Sequence, residues 1–166
     1  MAKRSIGTPA TLALDRAQVT FSARAYPHDP RVTSFGLEAA EALGVEPARV
    51  FKTLIARLDG DLVVGLVPVT SHLDLKALAR ALGGSKATMA EVADAERATG
   101  YVAGGISPFG QKKAHRTVVD ESLLGFATIL VSGGRRGLDV EVSPTDLIAL
   151  TRAVTAPIAR PDSSTR

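Results

Sequence analysis

Mostly apolar runs rich in strand-forming residues occupy positions 50–58 and 61–69, and Asp59-Gly60 between them is a strong two-residue hairpin signal, so the pattern predicts two antiparallel strands. Upstream, Leu37, Ala40 and Leu43 share one face with Glu38 and Glu41 between them, which predicts an amphipathic helix over 34–43 ended by Gly44. Thr8-Pro9 opens a short helix, Val19-Thr20-Phe21 reads as strand, and Pro47 begins a short turn. The two prolines of Tyr26-Pro27-His28-Asp29-Pro30 predict a rigid loop that displays Tyr26 and His28. Ser71-His72-Leu73-Asp74 reads as a capping box ahead of Leu75, Leu78, Ala79 and Leu82, a helix closed by Gly83-Gly84. A strand at 86–88 and a helix at 91–98 precede a glycine- and proline-rich loop over 104–110. Strands follow at 117–119, 126–131 and 138–142, with Asp120 capping a single helical turn and 133–137 turning the chain back. Ser143-Pro144 starts a last helix carrying Leu147, Ile148 and Leu150. Helices and strands alternate irregularly with hairpins at two places, which predicts an α/β (α+β) domain with a mixed, mostly antiparallel, curved sheet flanked by helices.

The chain has 166 residues, 45% of them hydrophobic, which suits one domain and is too short for two. One folding unit over 8–160 is expected, with an N-terminal extension over 1–7 and a disordered tail over 161–166 that has nothing to bury. Cysteine is absent, which excludes a disulfide framework, a cysteine nucleophile and a thiolate metal site supplied by this chain. Aromatics at 4% and no tryptophan argue against a base-stacking platform. Of the net charge of +3, Lys3 and Arg4 supply two at one end, and Arg152, Arg160 and Arg166 against Asp162 supply two at the other, leaving residues 5–151 at −1. A polyanion must therefore be met by local clusters. No run of 18 apolar residues and no cleavable leader is visible, so a cytoplasmic location is expected.

Familiar chemical motifs are mostly absent from the sequence. His28, His72 and His115 lie at no metal-binding spacing, and no nucleophile elbow, Walker loop or dinucleotide fingerprint occurs, so neither a metal nor a cofactor is expected. Lys52 stands within an apolar strand, on the face of Val50 and Leu54. Such a lysine snorkels to water, lies on the solvent face of an edge strand, or is held in a cleft where its charge serves a ligand. Gly104-Gly105-Ile106-Ser107-Pro108-Phe109-Gly110 is either a connecting loop or a backbone cradle whose N–H groups hold a carbonyl oxygen or phosphate. Lys112, Lys113, His115 and Arg116 follow it, a basic run suited to a solvated face or to phosphate-backbone contacts. Arg135 and Arg136 lie in the glycine-rich hairpin 132–139.

Taken in order, Tyr26 with His28-Asp29-Pro30, Val50-Phe51-Lys52-Thr53-Leu54, Leu73-Asp74-Leu75-Lys76, the run 99–113 and the run 131–139 resemble the YbaK/EbsC branch of free-standing aminoacyl-tRNA editing domains, the bacterial Cys-tRNA(Pro) deacylases. The resemblance spans about residues 8–160. It implies the barrel-like mixed sheet shared with the editing domain of prolyl-tRNA synthetases, and hydrolysis of the ester joining a wrong amino acid to the tRNA 3′ end. By position it implies that Lys52 orients the acceptor end, that the Gly104 N–H, at the head of a loop completed by Pro108, polarises the ester carbonyl, and that Tyr26 completes the catalytic set. Thr53, Gly105, Ser107, Pro108, Ser132 and Asp139 are then expected to bind substrate, and Lys112, Lys113, Arg116, Arg135 and Arg136 to bind tRNA. The expected partners are the acceptor end of an aminoacyl-tRNA and prolyl-tRNA synthetase.

No protein nucleophile with an adjacent base is evident, so the attacking group is expected to be the substrate's own or a positioned water; for a cysteinyl ester, the resemblance implies attack by the substrate thiol. Two other readings stand beside this one: a sister deacylase that removes alanine from tRNA(Pro) with water as the nucleophile, and a non-catalytic tRNA- or synthetase-binding module.

Overall fold

The computed structural model of the protein describes residues 7–161, so the expected extension up to residue 6 and the tail beyond Pro161 lie outside the described residues. The chain runs α1 (Pro9–Arg16), β1 (Ser22–Ala25), α2 (Phe35–Leu43), a 3-10 turn at Pro47–Arg49, β2 (Phe51–Leu58), β3 (Asp61–Pro68), β4 (Ser71–Leu73), α3 (Leu75–Ala81), β5 (Ala87–Met89) and α4 (Val92–Thr99). After the glycine loop come β6 (Thr117–Asp120), a 3-10 segment at Glu121–Gly125, β7 (Ile129–Arg135), β8 (Leu138–Val142), α5 (Pro144–Thr151), β9 (Val154–Ala156) and β10 (Ala159–Pro161).

The hairpin of β2 and β3 is the centre of the fold. It pairs in register from Phe51↔Pro68 to Leu58↔Asp61, and its turn has φ of 50° at Asp59 and 95° at Gly60, the two positive values that a primed turn requires. Around it a five-stranded sheet is ordered β5-β2-β3-β6-β9, with β3-β6 and β6-β9 parallel. A second sheet, β1-β8-β7, is antiparallel, and β4 pairs with β10. The predicted mixed, mostly antiparallel architecture is therefore observed, but the sheets do not close into a barrel: β5 and β9 remain edges, and a single parallel bridge, Val50↔Leu130, ties the start of β2 to β7.

Alternation along the central strands sends side chains to two cores. Phe51, Ile55, Val64, Leu66 and Val119 pack with Leu14, Val131, Val140 and Leu147, under the second sheet, α1 and α5. Ala56, Leu58, Val63, Val67 and Val118 face Leu78 of α3 and Ile158. With both faces covered, β3 is buried from Val63 to its end at Pro68, hence its unbroken apolar run.

Four local expectations are corrected. The strand expected at 19–21 lies at Ser22–Ala25, where it pairs with β8. Ser71 does not cap α3; residues 71–73 form β4, and the Asp74 carboxylate takes the capping role by accepting the Ala77 N–H. β7 starts later than expected and runs through the bulge between Ser132 and Arg135. Pro161, placed in the tail, belongs to β10, which is held because Asp120 Oδ1 accepts the N–H groups of Ile158 and Ala159 at 3.0 and 2.9 Å. Among the described residues no helix is long and apolar enough to cross a membrane.

Candidate functional site

A cavity of about 370 Å³ opens between the start of β2, the entry to α2, the glycine loop and the β7-β8 pair. Tyr26, Lys52, Thr53, Gly104, Ser132 and Asp139 all line it, six chemistry-bearing positions drawn from five separate stretches of sequence. Val50, Leu54, Val69, Ile106 and Phe35 supply an apolar wall, the mixture usual for a small-ligand site.

Each polar group has a structural cause for its place. Lys52 lies opposite Val67 in the β2-β3 ladder and is half-buried. Tyr26 follows β1 and is anchored by its N–H, which donates to Gly137 O at 2.9 Å. Burial, chiefly, together with the neighbouring Asp139 charge pushes the Tyr26 phenol up to about 12, so it stays a hydrogen-bond donor throughout the neutral range. Ser132 and Asp139 are directly paired on β7 and β8, and Ser132 Oγ accepts the Gly134 N–H at 3.1 Å.

Asp139 and Glu141 alternate onto the same face of β8 but meet opposite surroundings. Glu141 accepts from Thr128, Arg24 and Arg49 at 2.6, 2.7 and 2.9 Å, and these bonds hold its carboxyl below the usual range. Asp139 is 5% exposed, and burial raises its carboxyl to about 7. Its Oδ2 and the Thr53 Oγ1 are buried with no hydrogen-bond partner among the described residues. Both residues line the same cavity, and buried polar atoms left unpaired are uncommon in folded proteins. A consequence for stability follows from the sign of the shift. Between pH 3.8 and about 7 the unfolded chain releases this proton while the native one keeps it, so the contribution of Asp139 to stability falls as pH rises through that window and is level above it. Asp139→Asn is expected to remove this slope and to be more stable than the parent at pH 8 by on the order of a few kcal/mol; urea midpoints at pH 5 and pH 8 read the difference.

The remaining predicted residues sit elsewhere. Gly105 packs on the hairpin: a Cβ there would lie 2.8 Å from Arg135 Cα, and its N–H is used by Val102 O at 2.8 Å. Ser107 is fully buried, its hydroxyl accepting the Phe109 N–H at 3.2 Å. Pro108 lines a separate cavity of about 210 Å³ with His115 and Thr117. Lys112, Lys113, Arg116, Arg135 and Arg136 are exposed and outside the main cavity. Sequence reasoning missed Phe35, an apolar residue in an amphipathic pattern, and also Thr33, Ser34 and Gly36 of the same approach to α2, all of which line the cavity. No group of three or more His, Asp or Glu able to hold a metal occurs among the described residues.

Residues 29–150 match the family described as "Aminoacyl-tRNA editing domain". The chain belongs to this family. It is 41% identical over 121 residues to the Enterococcus faecalis protein named "Putative Cys-tRNA(Pro)/Cys-tRNA(Cys) deacylase EbsC", covering 72% of this chain and 73% of that one. Among solved structures, the one described as "a putative trans-editing enzyme for prolyl tRNA synthetase" superposes with a TM-score of 0.79 at 26% identity, over 93% of this chain and 98% of that chain. That of "hypothetical protein APE2540" gives 0.82 at 25% identity, over 92% and 100%. The family span contains Lys52, Gly104, Ser132 and Asp139, and Tyr26 lies just ahead of it.

Proposed function

We propose that the protein is a trans-editing deacylase that hydrolyses the aminoacyl ester of mischarged Cys-tRNA(Pro). The observation that carries this reading is the cavity itself: one cation, the unbonded Gly104 N–H and two residues with unpartnered buried polar atoms, Thr53 and Asp139, line a space of about 370 Å³ beside an apolar wall, and the chain belongs to an editing family. The name of the E. faecalis relative supports cysteine as the amino acid.

In this reading the acceptor end enters along Lys52, and the Gly104 N–H, which donates to no acceptor among the described residues, polarises the ester carbonyl. The substrate thiol attacks that carbonyl carbon. A C–S bond forms, the C–O bond to the ribose breaks, and the thiol proton ends on the departing ribose oxygen. The strained thiolactone is then opened by water to free cysteine. The protein contributes placement and carbonyl polarisation; placement alone is worth about 7–11 kcal/mol in well-oriented intramolecular reactions. Lys112, Lys113, Arg116 and Arg135 are assigned to the tRNA backbone, with selectivity for one tRNA supplied by prolyl-tRNA synthetase. The setting is cytoplasmic.

The test is a panel of Cys-, Ser- and Ala-charged tRNA(Pro), with and without prolyl-tRNA synthetase. Cys-tRNA(Pro) is expected to be cleared at least about tenfold faster than Ser-tRNA(Pro), because a thiol with pKa near ~8.5 is the stronger nucleophile. Equal rates on both esters would sink thiol assistance. Preference for Ala-tRNA(Pro) would instead establish the water-using sister activity, and binding without turnover a docking module.

A further inference from the structure

The peptide group between Ala103 and Gly104 is held from one side. Its carbonyl accepts the Arg136 Nε–H at 2.8 Å. No described peptide bond is cis, so planarity sends the Gly104 N–H to the opposite side of the group. The neighbouring amides are also fixed: Ala103 N–H donates to Glu96 Oε2 at 2.8 Å, and Gly105 N–H to Val102 O at 2.8 Å. Between these two fixed amides the Gly104 N–H donates to no acceptor among the described residues, and Gly104 lines the cavity. Arg136 is itself anchored, its guanidinium carbon 4.9 Å from the centroid of Phe35. The same ring is what a Cβ on Gly104 would strike at 2.8 Å, and His28 leans on it at 5.8 Å between centroids.

We propose that Arg136 is a positioning residue for Gly104: it fixes the plane of the Ala103–Gly104 peptide and, as a charged donor on the carbonyl, strengthens the N–H at the other end. Exposed arginines in a tRNA-editing domain invite a phosphate-binding role, but the Nε–H of this one is spent on a backbone carbonyl and its guanidinium carbon lies over an aromatic ring. The proposal rests on the deacylase reading for its kinetic consequence and on the geometry alone for its structural one.

Arg136→Ala and Arg136→Lys are compared with the parent on Cys-tRNA(Pro). Loss of one oxyanion donor costs about 10²–10³ in kcat, and losing its alignment is expected to cost about 10–10², with KM and its salt dependence unchanged. Lysine does not restore the rate, since an ammonium cannot reproduce the planar guanidinium with its fixed Nε–H. A raised KM and a flattened salt slope in Arg136→Ala, both restored by Arg136→Lys, would make Arg136 a phosphate contact and overturn the proposal. The Gly104 amide resonance in a ¹H–¹⁵N spectrum gives a readout independent of turnover: it is expected to move in both variants, and an unmoved resonance overturns the clasp whatever the kinetics. A parent without deacylase activity defeats the functional reading, while the amide shift still decides the clasp.

Discussion

Lys52→Ala is expected to lower kcat/KM for deacylation by about 10³ or more, while the melting midpoint stays within a few degrees of the parent. Among the lining residues Lys52 is the one cation, and the proposed function gives it two tasks: placing a polyanionic acceptor end and offsetting the negative charge that grows on the ester oxygen. Placement and electrostatic preorganisation each reach several kcal/mol in enclosed sites, and one residue that serves both loses both together. The fold should survive because the substitution leaves the backbone register with Val67, the eight-residue ladder around it and the apolar neighbours Phe51 and Ile55 untouched. Single-turnover kinetics on Cys-tRNA(Pro) separates the two tasks. If both the affinity and the chemical step stay within about threefold of the parent, Lys52 is a snorkelling lysine and the site assignment falls.

Local signals carried the expectations that held. Asp59-Gly60 needs nothing beyond its own two positive φ values to fix the β2-β3 hairpin, and Gly44 takes the left-handed conformation that ends α2. The expectations that moved depended on distant partners. Residues 154–156 and 159–161 carry too little pattern to read as strands, and they become β9 and β10 because Val118 and Leu73 are there to pair with them and Asp120 captures the N–H groups of Ile158, between them, and Ala159. Ser71 has the chemistry of a cap, but β10 recruits it into a strand, and Asp74 caps instead.

The site divides in the same way. Lys52, Gly104 and Asp139 could be singled out by residue type and resemblance, yet alternation in Leu138-Asp139-Val140-Glu141-Val142 is blind to which carboxylate is ion-paired and which is orphaned. That distinction comes from Arg24 and Arg49, more than a hundred and about ninety residues away in the chain, both of which reach Glu141. Phe35 was illegible for the opposite reason: its place at the start of an amphipathic helix accounts for it fully until the fold brings Gly104 and Arg136 against its ring.

Gly104→Ala is expected to reduce kcat by about 10²–10³, the effect of losing one preorganised donor, with a stability loss of about 1–3 kcal/mol from the strained backbone. Two independent features lead there. Gly104 has φ of 85°, which a side chain disfavours, and a Cβ would come within 2.8–2.9 Å of three Phe35 ring atoms. Those atoms are the near part of the ring, so it cannot yield by swinging its tip. The ring is also flanked by His28 and by the Arg136 guanidinium, and it sits in the first turn of α2. The loop must therefore give way, and the Gly104 N–H moves with it, away from the position where an ester oxygen would develop charge. Rates measured well below the melting midpoint separate this from simple unfolding. Unchanged kcat in a folded but destabilised Gly104→Ala protein would mean that the donor lies elsewhere. A collapse of kcat with KM preserved would mark the glycine as a requirement of the transition state, because an interaction made only there is lost from kcat and not from binding.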